Sequence, residues 1–69
     1  MKLDKEFLKN FENQVVKVSL INGNYIRGNY RGYEEKDGVI SVIVESVTYK
    51  FQVDDKDITG IEKVSVSIW

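Results

Sequence analysis

Alternation of apolar and polar residues is the feature that most constrains how this chain can fold. From Val15 onward, apolar side chains recur at every second position. Successive side chains of a β-strand point to opposite faces, so this period of two predicts strands with one buried face. Asn22-Gly23 and Asp37-Gly38 interrupt the alternation, and such pairs are typical of turns between antiparallel strands. The pattern therefore predicts a mostly antiparallel, all-β protein.

The residues before Val15 follow a different period. Their apolar positions have the spacing of one helix face, namely Leu3, Phe7, Leu8 and Phe11. Asp4 is a suitable N-cap, and Leu3 before it can pack against Leu8, which lies four positions beyond the cap. The sequence therefore predicts a short helix from Asp4 to about Glu12.

The first hairpin, around Asn22-Gly23, has two possible registers. A two-residue loop would place Arg27 on the core face, opposite Val18. A three-residue loop, residues 22–24, keeps the apolar pairs on one side and needs Asn24 in the left-handed conformation. We expect the three-residue loop, which pairs Leu20 with Ile26, Val18 with Gly28 and Val16 with Tyr30, and places Lys17 opposite Asn29.

The remaining pattern predicts four further strands. The second, Tyr25 to about Glu34, carries Gly28 and Gly32 on its inward face, and glycines inside a strand mark a bulge or a bend. The third runs from Val39 to Glu45. The fourth has Val47, Tyr49, Phe51 and Val53 on one face, and the fifth carries Val64, Val66 and Ile68. We expect a single domain over residues 1–69, with the sheet bent into a small barrel that hides its edges.

Composition narrows the possible functions. The chain has 69 residues and contains no Cys and no His. Disulfides, thiolate or imidazole zinc sites and Ser-His or Cys-His relays are therefore excluded, and we expect neither an enzyme nor a cofactor. The net charge of -1 excludes a uniformly cationic arm. A core this small is marginal, which favours self-association.

Membrane and targeting segments are not expected. The N-terminal residues alternate charged and apolar side chains, unlike a signal peptide. The longest apolar stretch, Val39 to Val44, is interrupted by Ser41 and is far too short to span a bilayer. We therefore expect a cytoplasmic protein that does not enter a membrane.

The outward side of the second strand is the strongest candidate for a binding face. It presents Tyr25, Arg27, Asn29, Arg31 and Tyr33, with Lys17 on the neighbouring strand. Cations interleaved with aromatic rings suit single-stranded nucleic acid, because cations bind phosphates and rings stack on bases. An ordinary solvated strand face is the alternative interpretation. The carboxylates at 54–57 lack the spacing of a calcium loop, and those at 34–37 lack a pocket that would raise a pKa.

The hairpin sequence resembles a known family. Val18-Ser19-Leu20-Ile21-Asn22-Gly23, followed by Ile26, Gly28, Gly32 and Tyr33-Glu34, is similar to the first motif of the Sm and Sm-like family, which includes bacterial Hfq. Tyr49-Lys50-Phe51 resembles the Tyr-Lys-His motif of Hfq, with Phe in the third place. The resemblance covers nearly the whole chain, from the helix through the five strands.

This resemblance implies a five-stranded, strongly bent, SH3-like barrel with a short N-terminal α-helix. It also implies a cyclic homo-oligomer of five to seven subunits, in which the fourth strand pairs with the fifth strand of the next subunit. Members of the family bind single-stranded RNA without covalent chemistry. The candidate RNA-binding residues are then Lys17, Tyr25, Arg27, Arg31, Tyr33, Lys36, Tyr49 and Lys50.

The chain departs from the family at the base-contacting positions. Glu34 stands where the family has Asp, Lys36 at the stacking residue and Gly38 at the Asn. Asp54-Asp55 replaces the Arg-Gly of the second Sm motif, so carboxylates stand where a cation is expected. We expect either RNA binding through the Tyr25/Arg27/Arg31 face or an oligomeric protein-interaction scaffold that does not bind RNA.

Overall fold

A computed structural model describes residues 1–64 of the chain. The predicted strand residues Val66 and Ile68, and Trp69, lie outside the described residues. The chain forms a short helix and five antiparallel strands, as predicted: α1 (Lys5–Leu8), a 3-10 turn (Lys9–Phe11), β1 (Val15–Leu20), β2 (Tyr25–Lys36), β3 (Val39–Glu45), β4 (Lys50–Asp54), a second 3-10 turn (Asp55–Asp57) and β5 (Ile58–Lys63).

The N-terminal helix begins where the sequence predicts. The Asp4 carboxylate accepts a hydrogen bond of 2.8 Å from the Phe7 backbone N–H, which satisfies one of the free donors at the helix start. The α-helix lasts one turn and continues as the 3-10 turn to Phe11. Leu3, Leu8 and Phe11 are buried and belong to the hydrophobic core. The helix thus covers the apolar side of the sheet.

The five strands form one sheet in the order β4-β3-β2-β1-β5. Its core side buries one set of alternating apolar residues, among them Val16, Val18, Val42 and Val44, together with Ile58. The sheet is not closed, because β4 and β5 are its two edges and do not pair. Only the 3-10 turn Asp55–Asp57 connects them, so the chain crosses from one edge to the other in three residues. Such a short crossing requires a bent sheet whose edges approach each other.

The predicted register of the first hairpin is wrong by two residues. Val18 lies opposite Ile26, and Val16 lies opposite Gly28. The loop has three residues, as expected, but they are 21–23: the Leu20 carbonyl accepts from the Gly23 N–H at 3.0 Å, and the Leu20 N–H donates to the Asn24 carbonyl at 2.8 Å. Gly23 takes the left-handed position with φ of 89°. Glycine adopts this conformation at lower cost than Asn24 would, because it has no Cβ.

A bulge divides β2. The pairing with β3 shifts between Tyr30 and Gly32, which leaves Arg31 as the extra residue. Gly32 has φ of 115°, in the region that favours glycine. Beyond the bulge Tyr33 lies opposite Val42, which is fully buried, so Tyr33 is on the core side of the sheet. Its predicted position in one row with Tyr25 and Arg31 is therefore wrong.

The fifth strand begins earlier than predicted. It spans Ile58–Lys63, whereas the alternation indicated a strand centred on residues 64–68. Ser19 pairs with Gly60 and Leu20 with Ile58, which leaves Thr59 as an extra residue in a second bulge. The bulge breaks the period of two between Ile58 and Ile61, and this break hid the strand from the sequence pattern. In β4, only Phe51 and Val53 of the predicted apolar set lie within the strand, because Val47 and Tyr49 precede it.

Candidate nucleic-acid interface

The side of the sheet that points away from the core, called the outer face here, carries the strongest candidate site. Directly paired residues of adjacent strands share a face. Lys17 pairs with Arg27, and Ser19 pairs with Tyr25, while the alternate residues of the same strands are in the core. Lys17, Tyr25 and Arg27 therefore lie together on the outer face. We call these three residues the basic patch.

The basic patch differs in detail from the prediction. The sequence predicts Lys17 opposite Asn29, but in the structure Lys17 pairs with Arg27 on β2. The Lys17 ammonium lies 4.6 Å from the centroid of the Tyr25 ring, a cation–π distance. The Tyr25 side chain is nevertheless 57% exposed, so most of the ring faces solvent. One end of the patch thus presents an aromatic surface beside a cation.

Two cations, Lys17 and Arg27, lie opposite each other in this patch. Within residues 1–64, neither Lys17 nor Arg27 has a carboxylate oxygen within ion-pair distance. Glu62 lies opposite Lys17 on its other side, so the row carries two positive charges and one negative charge. Like charges directly opposite each other destabilise a sheet. An anion bound between them would relieve this repulsion.

Arg31 is on the same face but is not a free cation. Its Nε donates to the Glu45 carboxylate at 2.7 Å, in a partly exposed ion pair. Both residues lie beside the bulge, which places the Arg31 side chain near Glu45 at the end of β3. No local pattern predicts this pair, because Arg31 and Glu45 are fourteen residues apart. Arg31 therefore contributes less positive charge to the face than Arg27.

The remaining predicted site residues are dispersed. Lys50 lies opposite Glu45 at the start of β4, on the outer face but two strands away from the basic patch. Lys36 is at the far end of β2, beside a small cavity that Glu34 and Asp54 also line. Tyr33 and Tyr49 lie on the core side, and the Tyr49 ring stacks edge-on against Phe51 at 4.7 Å between centroids. The structure therefore groups Lys17, Tyr25 and Arg27, with Arg31 nearby, and separates the rest.

Sequence reasoning missed a polar cluster on the acidic half of the outer face. The Gln52 amide donates to the Glu34 carboxylate and to the Ser41 hydroxyl, each at 2.8 Å. Ser41 is buried, and Asp54 lies opposite it on β4. The three hydrogen-bonded residues come from three different strands, so no local motif announces them. Their hydrogen bonds link β2, β3 and β4, next to the carboxylate of Asp54.

Two titratable side chains have pKa values shifted from their usual values. Burial, with the nearby Tyr33 and Glu12, raises the pKa of Tyr30 above its usual value. A hydrogen bond to Glu35, together with its negative charge, raises the pKa of Lys5. Among residues 1–64, no three His, Cys, Asp or Glu side chains gather as metal ligands.

Comparison of the chain with protein-family models, with curated proteins and with solved structures gives no match. In the part of the chain that the structure describes, no helix has the length and apolarity needed to cross a bilayer.

Proposed function

We propose that this protein binds single-stranded RNA, without catalysis, through the basic patch on the outer face of β1 and β2. The observation that carries the proposal is the Lys17–Arg27 pair, two cations held opposite each other beside an exposed tyrosine. Phosphate would neutralise the cations, and a base would stack on the free part of the Tyr25 ring.

The order of elements supports an Sm-like relationship, which stays a proposal. A short helix precedes five antiparallel strands, and a 3-10 turn joins the fourth strand to the fifth. The short connection between two opposite edges is what a strongly bent, SH3-like barrel requires. The family's usual base pocket is not supported, because Asp54 and Asp55 stand where the family has Arg-Gly.

The test is a fluorescence anisotropy titration with short U-rich and A-rich RNAs at low and high salt. Each phosphate contact to a single strand contributes about -0.7 to the slope of log affinity against log salt. Arg27→Ala should weaken binding and make the slope shallower by about 0.7. Tyr25→Ala should remove ~1–3 kcal/mol of stacking with little change in slope.

Lys56→Ala is the matched control. Lys56 is an exposed cation on the second 3-10 turn, and its removal changes the net charge by the same amount as Arg27→Ala. Affinity and slope should remain those of the parent protein. If Lys50→Ala abolishes binding and Arg27→Ala does not, the site lies near β4 instead of the basic patch.

An assembly scaffold that does not bind RNA is the second candidate function. The specific observation in its favour is that both sheet edges, β4 and β5, lack a partner strand within residues 1–64. Unpaired strand edges are templates for association with another chain. A ring that pairs β4 with β5 of the next copy would cover both edges. Absence of RNA binding by the parent at low salt would favour this function.

A further inference from the structure

The β4 edge exposes a defined set of backbone groups. The Ser46 N–H donates to the Tyr49 carbonyl at 2.7 Å, which fixes the phase of the β3–β4 ladder. Antiparallel pairs alternate between hydrogen-bonded and non-hydrogen-bonded, so Phe51 and Val53 bond to β3. The N–H and C=O groups of the intervening residues, Lys50, Gln52 and Asp54, must then point away from β3 toward the free edge.

We propose that β4 pairs antiparallel with β4 of a second copy, with the two-fold axis between the two Gln52 residues. The strand reads Lys-Phe-Gln-Val-Asp, so it is complementary to itself when reversed. Lys50 then lies opposite Asp54 of the second copy, and this pair occurs twice by symmetry. Phe51 lies opposite Val53 of the second copy, also twice. The outward backbone groups of Lys50, Gln52 and Asp54 are those that this register joins.

The side chains of β4 are available for this contact. Neither Lys50 nor Asp54 forms an ion pair within residues 1–64. Phe51 is 37% exposed although it shares the core side of the sheet with buried Val44, because nothing described lies beyond the edge. A second β4 would cover this ring. The dimer thus forms two pairs of opposite charges and two apolar contacts that the single chain lacks.

Space beside β4 allows a strand to approach. A cleft of about 520 Å³ follows the second half of the strand, from Gln52 to Asp54, and the β1–β2 turn at Ile21 and Asn22 forms its other wall. Its lining carries the carboxylates of Asp54 and Asp57 and no cation. The Lys50 side chain of the second copy, opposite Asp54, would enter an environment of complementary charge.

The other edge, β5, is a poorer partner for β4. Its pairing with β1 is irregular at Thr59, and a bulge twists an edge strand away from regular pairing. Its sequence, Ile-Thr-Gly-Ile-Glu-Lys, does not place opposite charges against both Lys50 and Asp54 in an antiparallel register. These features favour an isologous β4–β4 pair over a head-to-tail ring.

Charge reversal tests the proposed pairing by sedimentation velocity. The parent should dimerise reversibly between about 5 and 500 µM, the range suited to a small interface. Lys50→Asp places like charges opposite each other at both ends of the contact, and so does Asp54→Lys. Each single variant should weaken the dimer about tenfold or more. An equimolar mixture of the two variants should recover it, because every opposing pair is then of opposite charge.

Lys63→Asp, on the β5 edge, is the matched control and should dimerise like the parent. A parent that stays monomeric over this range would overturn the proposal, and so would rings larger than a dimer. Failure of the mixed variants to associate would also contradict it. The RNA-binding test uses variants of Arg27 and Tyr25, whereas the dimerisation test uses variants of Lys50 and Asp54. Failure of one proposal therefore does not contradict the other.

Amide hydrogen exchange provides a measurement that needs no variant. Raising the protein concentration should protect the N–H groups of Lys50, Gln52 and Asp54. The outward N–H groups of Ile61 and Lys63 on β5 should remain unprotected, because Val64 donates to Val15 at 2.9 Å and fixes their phase. Concentration-dependent protection of both edges would indicate head-to-tail pairing and overturn the β4–β4 proposal.

Discussion

Gly28 shows how a single missing side chain permits the sheet to bend. A Cβ at this position would lie 2.6 Å from the carbonyl oxygen of Glu45 and 3.0 Å from a methyl carbon of Val44. The sequence predicts Val18 opposite Gly28, whereas Val16 lies opposite it in the structure. The obstacle is instead backbone on β3, which cannot rotate away as a side chain can.

Gly28→Ala should lower the free energy of unfolding by about 1–3 kcal/mol, since the added methyl forces β2 and β3 apart. Gly28→Val should lower it further. Gly60→Ala is the control, because a Cβ there meets nothing within 4 Å. Urea denaturation measures both. Equal midpoints for Gly28→Ala and the parent would show that β3 can yield at Glu45.

Ionisation of Tyr30 should lower the stability of the folded protein in alkaline solution. Burial raises its pKa above the usual 10.0, so the folded state favours the protonated phenol more than the unfolded state does. This contribution is complete below about pH 10 and is lost as the pH rises through the raised pKa of the folded state. Lys5, whose pKa is raised by the hydrogen bond and charge of Glu35, acts in the same direction.

Thermal unfolding from pH 7 to pH 11 tests this expectation. The parent should lose melting temperature above about pH 10, and Tyr30→Phe should lose less because it cannot ionise. Lys5→Ala separates the contribution of the exposed ion pair from that of the buried phenol. A Tyr30→Phe variant with the full alkaline loss of the parent would contradict the assignment.

Among the secondary-structure elements, α1 depends on its N-cap residue, Asp4. A helix of one turn has little intrinsic stability, so its cap and its contact with the sheet must hold it. Asp4 supplies the cap, and Leu3 and Leu8 supply the contact. The backbone nitrogen of Met1 also donates to the carbonyl oxygens of Asp55 and Ile58, at 2.9 and 2.7 Å. The N-terminal segment is thereby joined to the turn between β4 and β5.

Asp4→Ala should lower the free energy of unfolding by about 0.5–2 kcal/mol, because the Phe7 N–H loses its acceptor. Asp4→Asn should lose much less, since its amide oxygen can still cap the helix. Glu6→Ala is the control for loss of a carboxylate from the same turn: it removes only the exposed ion pair with Lys9 and should cost about 0.2–0.5 kcal/mol. Chemical denaturation measures all three, and an Asp4→Ala variant as stable as the parent would show that packing alone holds α1.

At the scale of the whole molecule, the two proposed contacts lie on different strands. Lys17 and Arg27 lie on β1 and β2, while Glu34 and Asp54 lie toward the other edge. A net charge of -1 conceals this separation. The proposed anion site at the basic patch and the proposed contact with a second copy at the β4 edge therefore do not overlap.

Association through β4 should make thermal stability depend on protein concentration. A partner that binds only the folded state stabilises it by mass action, so the melting temperature should rise with concentration. Lys50→Asp should abolish this rise, whereas Lys63→Asp should keep it. Scanning calorimetry over a hundredfold concentration range is the measurement, and identical slopes for the two variants would contradict the β4–β4 contact.

Local patterns in the sequence predict the core-facing residues before the bulge at Arg31, the first two turns and the start of the helix. Alternation assigns the residues of β1 and of the first part of β2 to a face, and Asn22-Gly23 and Asp37-Gly38 mark the turns with local chemistry. It also placed Tyr25, Arg27 and Lys17 on one exposed face. The face of a residue, a turn and a helix start depend on residues that are close in sequence, so local sequence patterns predict them.

The register, the bulges and the charge partners depend on contacts between distant parts of the chain. Registers that differ by two residues bury the same face, so alternation could not distinguish Lys17 opposite Asn29 from Lys17 opposite Arg27. The bulge at Arg31 reverses the faces beyond it and removes Tyr33 from the outer face. The Arg31–Glu45 ion pair joins strands that meet only after folding. The register, the bulges and the ion pair all depend on the position of a strand that is distant in sequence. Packing across the sheet determines that position, so a local sequence pattern cannot predict it.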